Sequence, residues 1–211
     1  PSPDPVHLDD PRLEPFWRAT AELGLPVVVH LGHDSAAYRP WDASNEELRR
    51  LYRAPWARPR PGGLSIEELR RQRDDVLRRH PDVTILAAHL DTDGERLGQV
   101  AHRLRQLPNL YLELGSRHRV LARQPRVAAR FLGEFADRVC FGGDRVQSAA
   151  LYREQFRVLE SDDDAFAGLD ADDTRPLYGL ALPPDVLDQV YRGTAVSLMP
   201  TLAAAPARVP R

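Results

Sequence analysis

The chain has 211 residues, 42% of them hydrophobic, and a formal net charge of -2 from 29 basic and 31 acidic side chains. A near-neutral balance excludes the basic footprint of a general nucleic-acid binder and points to a small-molecule partner. Every basic residue is arginine, which removes Schiff-base lysine and P-loop lysine chemistry, and the one cysteine, Cys140, cannot form an internal disulfide.

The N-terminal segment PSPDPVHLDD has neither the basic n-region nor the apolar core of a signal peptide, and no stretch approaches the roughly 20 apolar residues that span a bilayer. A cytoplasmic protein with no membrane partner is expected. Residue 1 is proline, which predicts a processed, trimmed or partial chain. Asp10 before Pro11 marks a helix start, Leu13, Phe16, Trp17, Thr20 and Leu23 form its apolar stripe, and Gly24 is its stop. PVVVHL (26–31) then reads as a strand. Two capping boxes follow, Ser44 with Glu47 and Ser65 with Glu68, separated by APWARPRPGG (54–63), whose prolines and glycines oppose regular structure.

The helix EELRRQRDDVLRRH interleaves acids and bases and reads as a solvated face. VTILAAH (83–89), NLYLEL (109–114) and RVCFGG (138–143) are further strands, near-continuously apolar as in a parallel sheet covered on both faces. Between them lie helices with stripes Leu97, Val100, Ala101, Leu104, Leu107 and Val127, Ala128, Phe131, Leu132, Phe135. ESDDDAFAGLDADDT (160–174) reads as a solvated acidic loop without EF-hand spacing. Gly193 is expected to stop a late helix, and TLAAAPARVPR to be a disordered tail. Strand and helix alternate throughout, so the class is α/β with a parallel sheet, as one domain over 1–199 followed by the tail at 200–211.

Each strand runs into polar chemistry: VVVHLGHD gives His30, His33 and Asp34, ILAAHLDTD gives His89, LYLELGSR gives Glu113 and Arg117, and VCFGGDR gives Asp144. Carboxyl ends of parallel strands form the site face in such folds. Two imidazoles and a carboxylate are sound ligands for zinc or another divalent first-row metal, which would lower the pKa of a bound water and polarise a carbonyl. A lone strand-end histidine is more often a hydrogen-bonded core residue; three strand ends together favour a site. His33 lies in a loop as pocket lining or surface. Arg117 has two readings, a clamp on a substrate carboxylate or, more favoured, an ion pair with an acid such as Glu113. Cys140, inside an apolar strand, is a small hydrophobe.

In their order, ELGLPVVVHLG, HPDVTILAAHL, NLYLELGSR, FGGD and YGLALPPDVLDQVYRGTA resemble the amidohydrolase-related branch of the metal-dependent hydrolase superfamily, relatives of aminocarboxymuconate-semialdehyde decarboxylase, over nearly the whole chain. The resemblance implies a (β/α)8 TIM barrel, with His30 as the metal ligand ending strand 5, His89 as the strand-6 histidine that orients substrate, and Asp144 as the strand-8 aspartate that binds metal and handles the proton. It places the loop HLGHDSAAYRPWD, with Tyr38, Arg39 and Trp41, near substrate. Gly143 and Thr194 depart from the family pattern without removing a ligand. The family's His-x-His pair on strand 1 has no counterpart before Pro11, so the chain resembles the C-terminal portion, strands 5 to 8. The expected activity is metal-dependent hydrolysis of a small carboxylated or cyclic substrate, with zinc as the divalent metal; non-oxidative decarboxylation and a truncated non-catalytic remnant are the alternatives. Unpaired outer strands of a half-barrel predict association into a homo-oligomer.

Overall fold

Three consecutive β-branched residues, stiff at χ1 and poor helix formers, set the first strand, Val27–Val29 (β1). Ile85–Ala87 (β2), Leu110–Glu113 (β3) and Val139–Cys140 (β4) complete one parallel sheet in the order β1-β2-β3-β4. The computed structural model describes residues 6–45, 47–54, 63–144, 148–170, 173 and 175–204. Helices Ile66–Arg79, Leu97–Gln106 and Pro125–Glu134 lie between successive strands, and Ala149–Glu160 follows β4. Four consecutive βα units are what the sequence pattern requires.

The strands are shorter than their apolar runs, and the two faces of the sheet differ. Val29, Ile85, Ala87, Leu110, Leu112 and Val139 join the helices in one hydrophobic core. Their neighbours in the chain, Val28, Leu86 and Tyr111, form a row of their own in the register and stay out of that core; Val28 is 65% exposed. Among the described residues, the hydrophobic core shared with the helices therefore lies on one face of the sheet. The edge of β4 remote from β3 is closed locally, since the Phe141 N–H donates to the Val190 carbonyl at 2.8 Å. Val190 sits in a π-helical turn, Gln189–Gly193, that runs directly into the helix Thr194–Leu198. Gly193 is thus inside a continuous helical segment and does not stop it. Among the described residues β1 has no strand on its other side.

Several local expectations hold. Asp10 caps the first turn through the Arg12 N–H, Ser65 and Glu68 form a reciprocal capping box, and Gly24 takes φ +60° just past the first helix. All five residues of the Leu97–Leu107 stripe are buried. Others need correction. Ser44 does not cap with Glu47: its N–H and hydroxyl both turn to Asp42, and the helix Leu48–Arg53 starts from Glu47 with no side-chain cap. Phe16, Leu23 and Val127 are exposed, leaving Leu13, Trp17, Thr20, Ala128, Phe131, Leu132 and Phe135 to face the core. The APWARPRPGG segment lies almost wholly outside the described residues, as does the tail beyond the 3-10 turn Pro200–Ala204.

The arginine-rich helix is the largest correction. Arg70 and Arg73 are buried, with Arg73 fully so, because Asp91 and Asp93 are buried opposite them. Arg73 Nη1 meets Asp91 Oδ1 at 2.5 Å, Arg103 reaches Asp91 at 2.8 Å and Asp93 at 2.7 Å, and Arg96 holds Asp93 at 2.7 Å. Arg70 donates to the Asp91 carbonyl at 2.9 Å. Those carboxylates turn inward because His89, Leu90, Asp91 and Thr92 are four successive left-handed residues, φ 52–59°. Each such residue costs about 1–2 kcal/mol. The guanidinium cluster offsets that cost and holds the turn that carries His89.

Candidate functional site

The sheet delivers its polar residues to one end. His30 follows β1 directly, His89 stands two residues beyond β2, Glu113 ends β3, and Asp144 lies four residues past β4. The His30 and His89 rings meet edge to face with centroids 5.0 Å apart, and His89 Nε2 faces Asp144 Oδ1 at 3.5 Å. The three line a cleft of about 400 Å³ together with His33, Asp34 and Arg117. His89, Ser116 and Asp144 all have positive φ, 59°, 60° and 65°. Backbone strain gathered at one place marks a site that the surrounding fold over-determines.

The hydrogen bonds orient these groups. His89 Nδ1 lies 2.7 Å from the Gly115 carbonyl, which can only accept, so Nδ1 carries the proton and Nε2 points into the cleft. Ser116 donates its hydroxyl to Asp144 Oδ2 at 3.0 Å. Burial, followed by the neighbouring His89, pushes the His30 imidazole below its ordinary value, which favours the neutral form that a metal ligand needs. Arg117 does not pair with Glu113. It forms an ion pair with Asp34 and donates Nε–H to the His89 carbonyl at 3.1 Å, while Glu113 accepts backbone N–H groups. Burial opposes ionisation of Asp34, but Arg117 and Arg50 outweigh it and hold its carboxyl below the usual range.

Tyr38 and Trp41 stand off the cleft. Tyr38 lines a neighbouring cavity with Arg39, its hydroxyl packed against Gly32, whose φ of +137° and missing β-carbon admit the close approach. Trp41 packs on Ala36, Ala37 and Leu51 and donates Nε1–H to the Ala37 carbonyl at 3.1 Å. The acidic loop is not simply solvated. Phe166 and Leu177 form an antiparallel bridge, Arg157 lies 4.0 Å over the buried Phe166 ring, and Asp173 binds Arg123 and Arg175 at the cleft. His118, which carries no signal in the sequence, is buried with Nε2 2.7 Å from Glu154, and burial lowers its pKa. Burial, with Glu113 adding to it, pushes the Cys140 thiol up to about 11, in keeping with an inert core residue.

Donor chemistry at the cleft fits a cation. Imidazole nitrogens and a carboxylate, the donor types a divalent first-row ion takes, line the same cleft, with His89 Nε2 facing Asp144. The fit is incomplete in placement, since among the described residues no group of three or more His, Cys, Asp or Glu is placed to hold a metal ion.

Half-barrel topology and a strand-end His/His/Asp cleft define the class. The amidohydrolase family model matches residues 1–200, and the chain belongs to that family. Solved structures with the same fold include a dihydroxybenzoic acid decarboxylase from Polaromonas sp. with bound manganese and the inhibitor 2-nitroresorcinol, 16% identical over 97% of this chain and 58% of that one, TM-score 0.56. A 5-carboxyvanillate decarboxylase from Sphingomonas paucimobilis is 14% identical over 92% of this chain and 55% of that one, TM-score 0.53. A 4-oxalomesaconate hydratase from Rhodopseudomonas palustris is 16% identical over 96% and 54%, TM-score 0.50. The chain spans little more than half the length of these proteins, so its four βα units are a partial TIM barrel. No curated protein matches the sequence. Among the described residues no helix is long and apolar enough to cross a membrane.

Proposed function

We propose that this chain carries the C-terminal share of a metal-assisted hydrolytic site for a small carboxylated or cyclic substrate. One observation carries the reading: His30, His89 and Asp144, from three different strand exits, meet at one cleft with His89 Nε2 facing Asp144 Oδ1 at 3.5 Å. His30 and Asp144 would hold the divalent ion, zinc or the manganese of the Polaromonas structure, and when bound it supplies Lewis-acid polarisation of the substrate.

The chain's own groups do the rest. Asp144, with Oδ2 fixed by Ser116, accepts the proton of the attacking water. His89, with Nδ1 committed to Gly115, takes that proton at Nε2 across the short gap and donates to the developing oxyanion. Arg117 steadies the His89 carbonyl from behind, already neutralised by Asp34. The same residues support a second reading, non-oxidative decarboxylation, in which His89 Nε2 first takes up a proton from solvent and then delivers it to the ring carbon as the bond to the carboxylate breaks and carbon dioxide departs. The decarboxylases among the fold neighbours favour that reading.

Two direct ligands fall short of the three that catalytic zinc sites generally use. The expected result is weak metal binding and little turnover in this chain, and about one metal per chain with turnover in a protein that also carries a strand-1 His-x-His pair. There, Asp144→Asn abolishes turnover while retaining some metal, and His30→Ala lowers metal content. Elemental analysis of dialysed protein, beside assays of lactone hydrolysis and of carbon dioxide release from carboxylated aromatics, tests this. Turnover surviving Asp144→Asn removes that residue from the mechanism.

A further inference from the structure

The turn leaving β3 contributes no reacting group, yet its residues touch both of those that do. We infer that Glu113 is the positioning residue of the site: one carboxylate fixes the backbone of His89 and of the β3 exit turn together, and thereby sets the tautomer and aim of the His89 imidazole. The inference rests on the roles proposed above for His89 and Asp144.

Glu113 Oε2 accepts the His89 backbone N–H at 3.3 Å, and Oε1 accepts the Gly115 N–H at 2.6 Å. The Gly115 carbonyl in turn accepts the His89 Nδ1–H at 2.7 Å. These bonds close a ring from Glu113 through the His89 backbone and imidazole to Gly115 and back. Ser116, the next residue, binds Asp144, so one turn registers the histidine against the aspartate.

Space for the carboxylate comes from two strand exits, because a β-carbon on either Gly115 or Gly142 would overlap Glu113 Oε1. The ring also explains how His89 keeps its left-handed backbone, which persists only where neighbours over-determine it. Bonds from backbone N–H groups to a carboxylate are the strong kind suited to that task.

The test is imidazole 15N NMR of the full chain in its neutral-histidine range. Wild type is expected to show a protonated Nδ1 and a bare Nε2 at His89. Glu113→Gln keeps the side-chain volume, but whichever way its amide turns, one of the two N–H groups loses its acceptor. The His89 tautomer ratio is expected to fall about tenfold, the size of one hydrogen bond to a charged group, with cooperative unfolding retained. Gly142→Ala displaces the same carboxylate without changing its charge and is expected to give the same averaging; it carries the test should Glu113→Gln fail to fold. Ser116→Ala lies outside the ring and leaves the His89 pattern in place. A wild type protonated at Nε2, or an unchanged His89 pattern in folded Glu113→Gln or Gly142→Ala, overturns the inference. Because the readout needs neither metal nor turnover, failure of the assays above would count against the functional reading and leave the positioning role standing.

Discussion

Asp34 and Arg117 close an ion pair between the exits of β1 and β3, with side chains only 13% and 12% exposed, and Arg50 approaches the second Asp34 oxygen at 2.8 Å. Removing Arg117 strands a largely buried carboxylate, which costs about 3–5 kcal/mol when nothing else compensates. Arg50 remains, so Arg117→Ala is expected to cost about 2–3 kcal/mol in urea unfolding. A loss below about 0.5 kcal/mol, the range of ordinary surface substitutions, would show that the pair contributes nothing.

Acid should loosen the cleft through Glu47. Burial pushes its carboxyl up, but hydrogen bonds from Arg50 and Arg175 outweigh this and hold it at about 2, below its ordinary 4.5. A depressed carboxylate stabilises the fold above its unfolded value, so this contribution is complete above pH 4.5 and is lost as pH falls toward 2. Discounted for solvent screening, it is worth about 1–2 kcal/mol. Glu47→Gln should flatten that limb of the stability profile, read by thermal unfolding from neutral pH downward.

The order of strands and the three strand-end residues were legible because they rest on local signals: β-branched runs, helical stripes and polar residues at the run ends. The partners were not. Nothing local distinguishes Asp34 from Glu113 as the acid for Arg117, since the choice depends on how β1 and β3 are spaced in the sheet. Periodicity read Arg70 and Arg73 as solvated because it cannot foresee that a left-handed turn twenty residues on will bury Asp91 and Asp93 against them. Ser116 gave no signal at all, its role arising from a backbone angle. Gly193 misled because a glycine stops a helix only where the chain then turns away, and here the π turn carries the helix onward.

Arg73 offers a direct measure of that buried cluster. Arg73→Leu leaves Asp91 facing Arg103 and Arg70 but breaks the closest contact, with an expected loss of about 3 kcal/mol. For a chain of this size the melting temperature should fall by roughly 6–12 °C. A variant as stable as wild type would place the cluster among those replaceable by apolar packing.

Chelation should matter little to this chain's stability. With two direct ligands, metal is held too weakly for mass action to add much, so excess EDTA is expected to move the melting temperature by less than about 2 °C. Differential scanning calorimetry with and without chelator decides it, and a drop above about 5 °C would reveal a tight site.

We propose that Val28, exposed on the face of the sheet outside the hydrophobic core, contributes to association between copies of the chain. Val28→Lys is expected to change stability by less than about 0.5 kcal/mol, given its exposure, while shifting sedimentation toward the monomer. A wild-type chain that already sediments as a monomer at high concentration would leave nothing for the lysine to do.

The bond from Phe141 to the Val190 carbonyl makes the sheet directional. Just past β4 the chain's own π turn takes up a backbone N–H that a further strand would otherwise use, so a helix finishes the sheet at that margin. The same bond ties the C-terminal helical segment to the stretch of chain that runs from β4 to Asp144. A change that loosens the packing of Val190 would therefore be felt at the cleft, through the backbone and not through any side chain of the site.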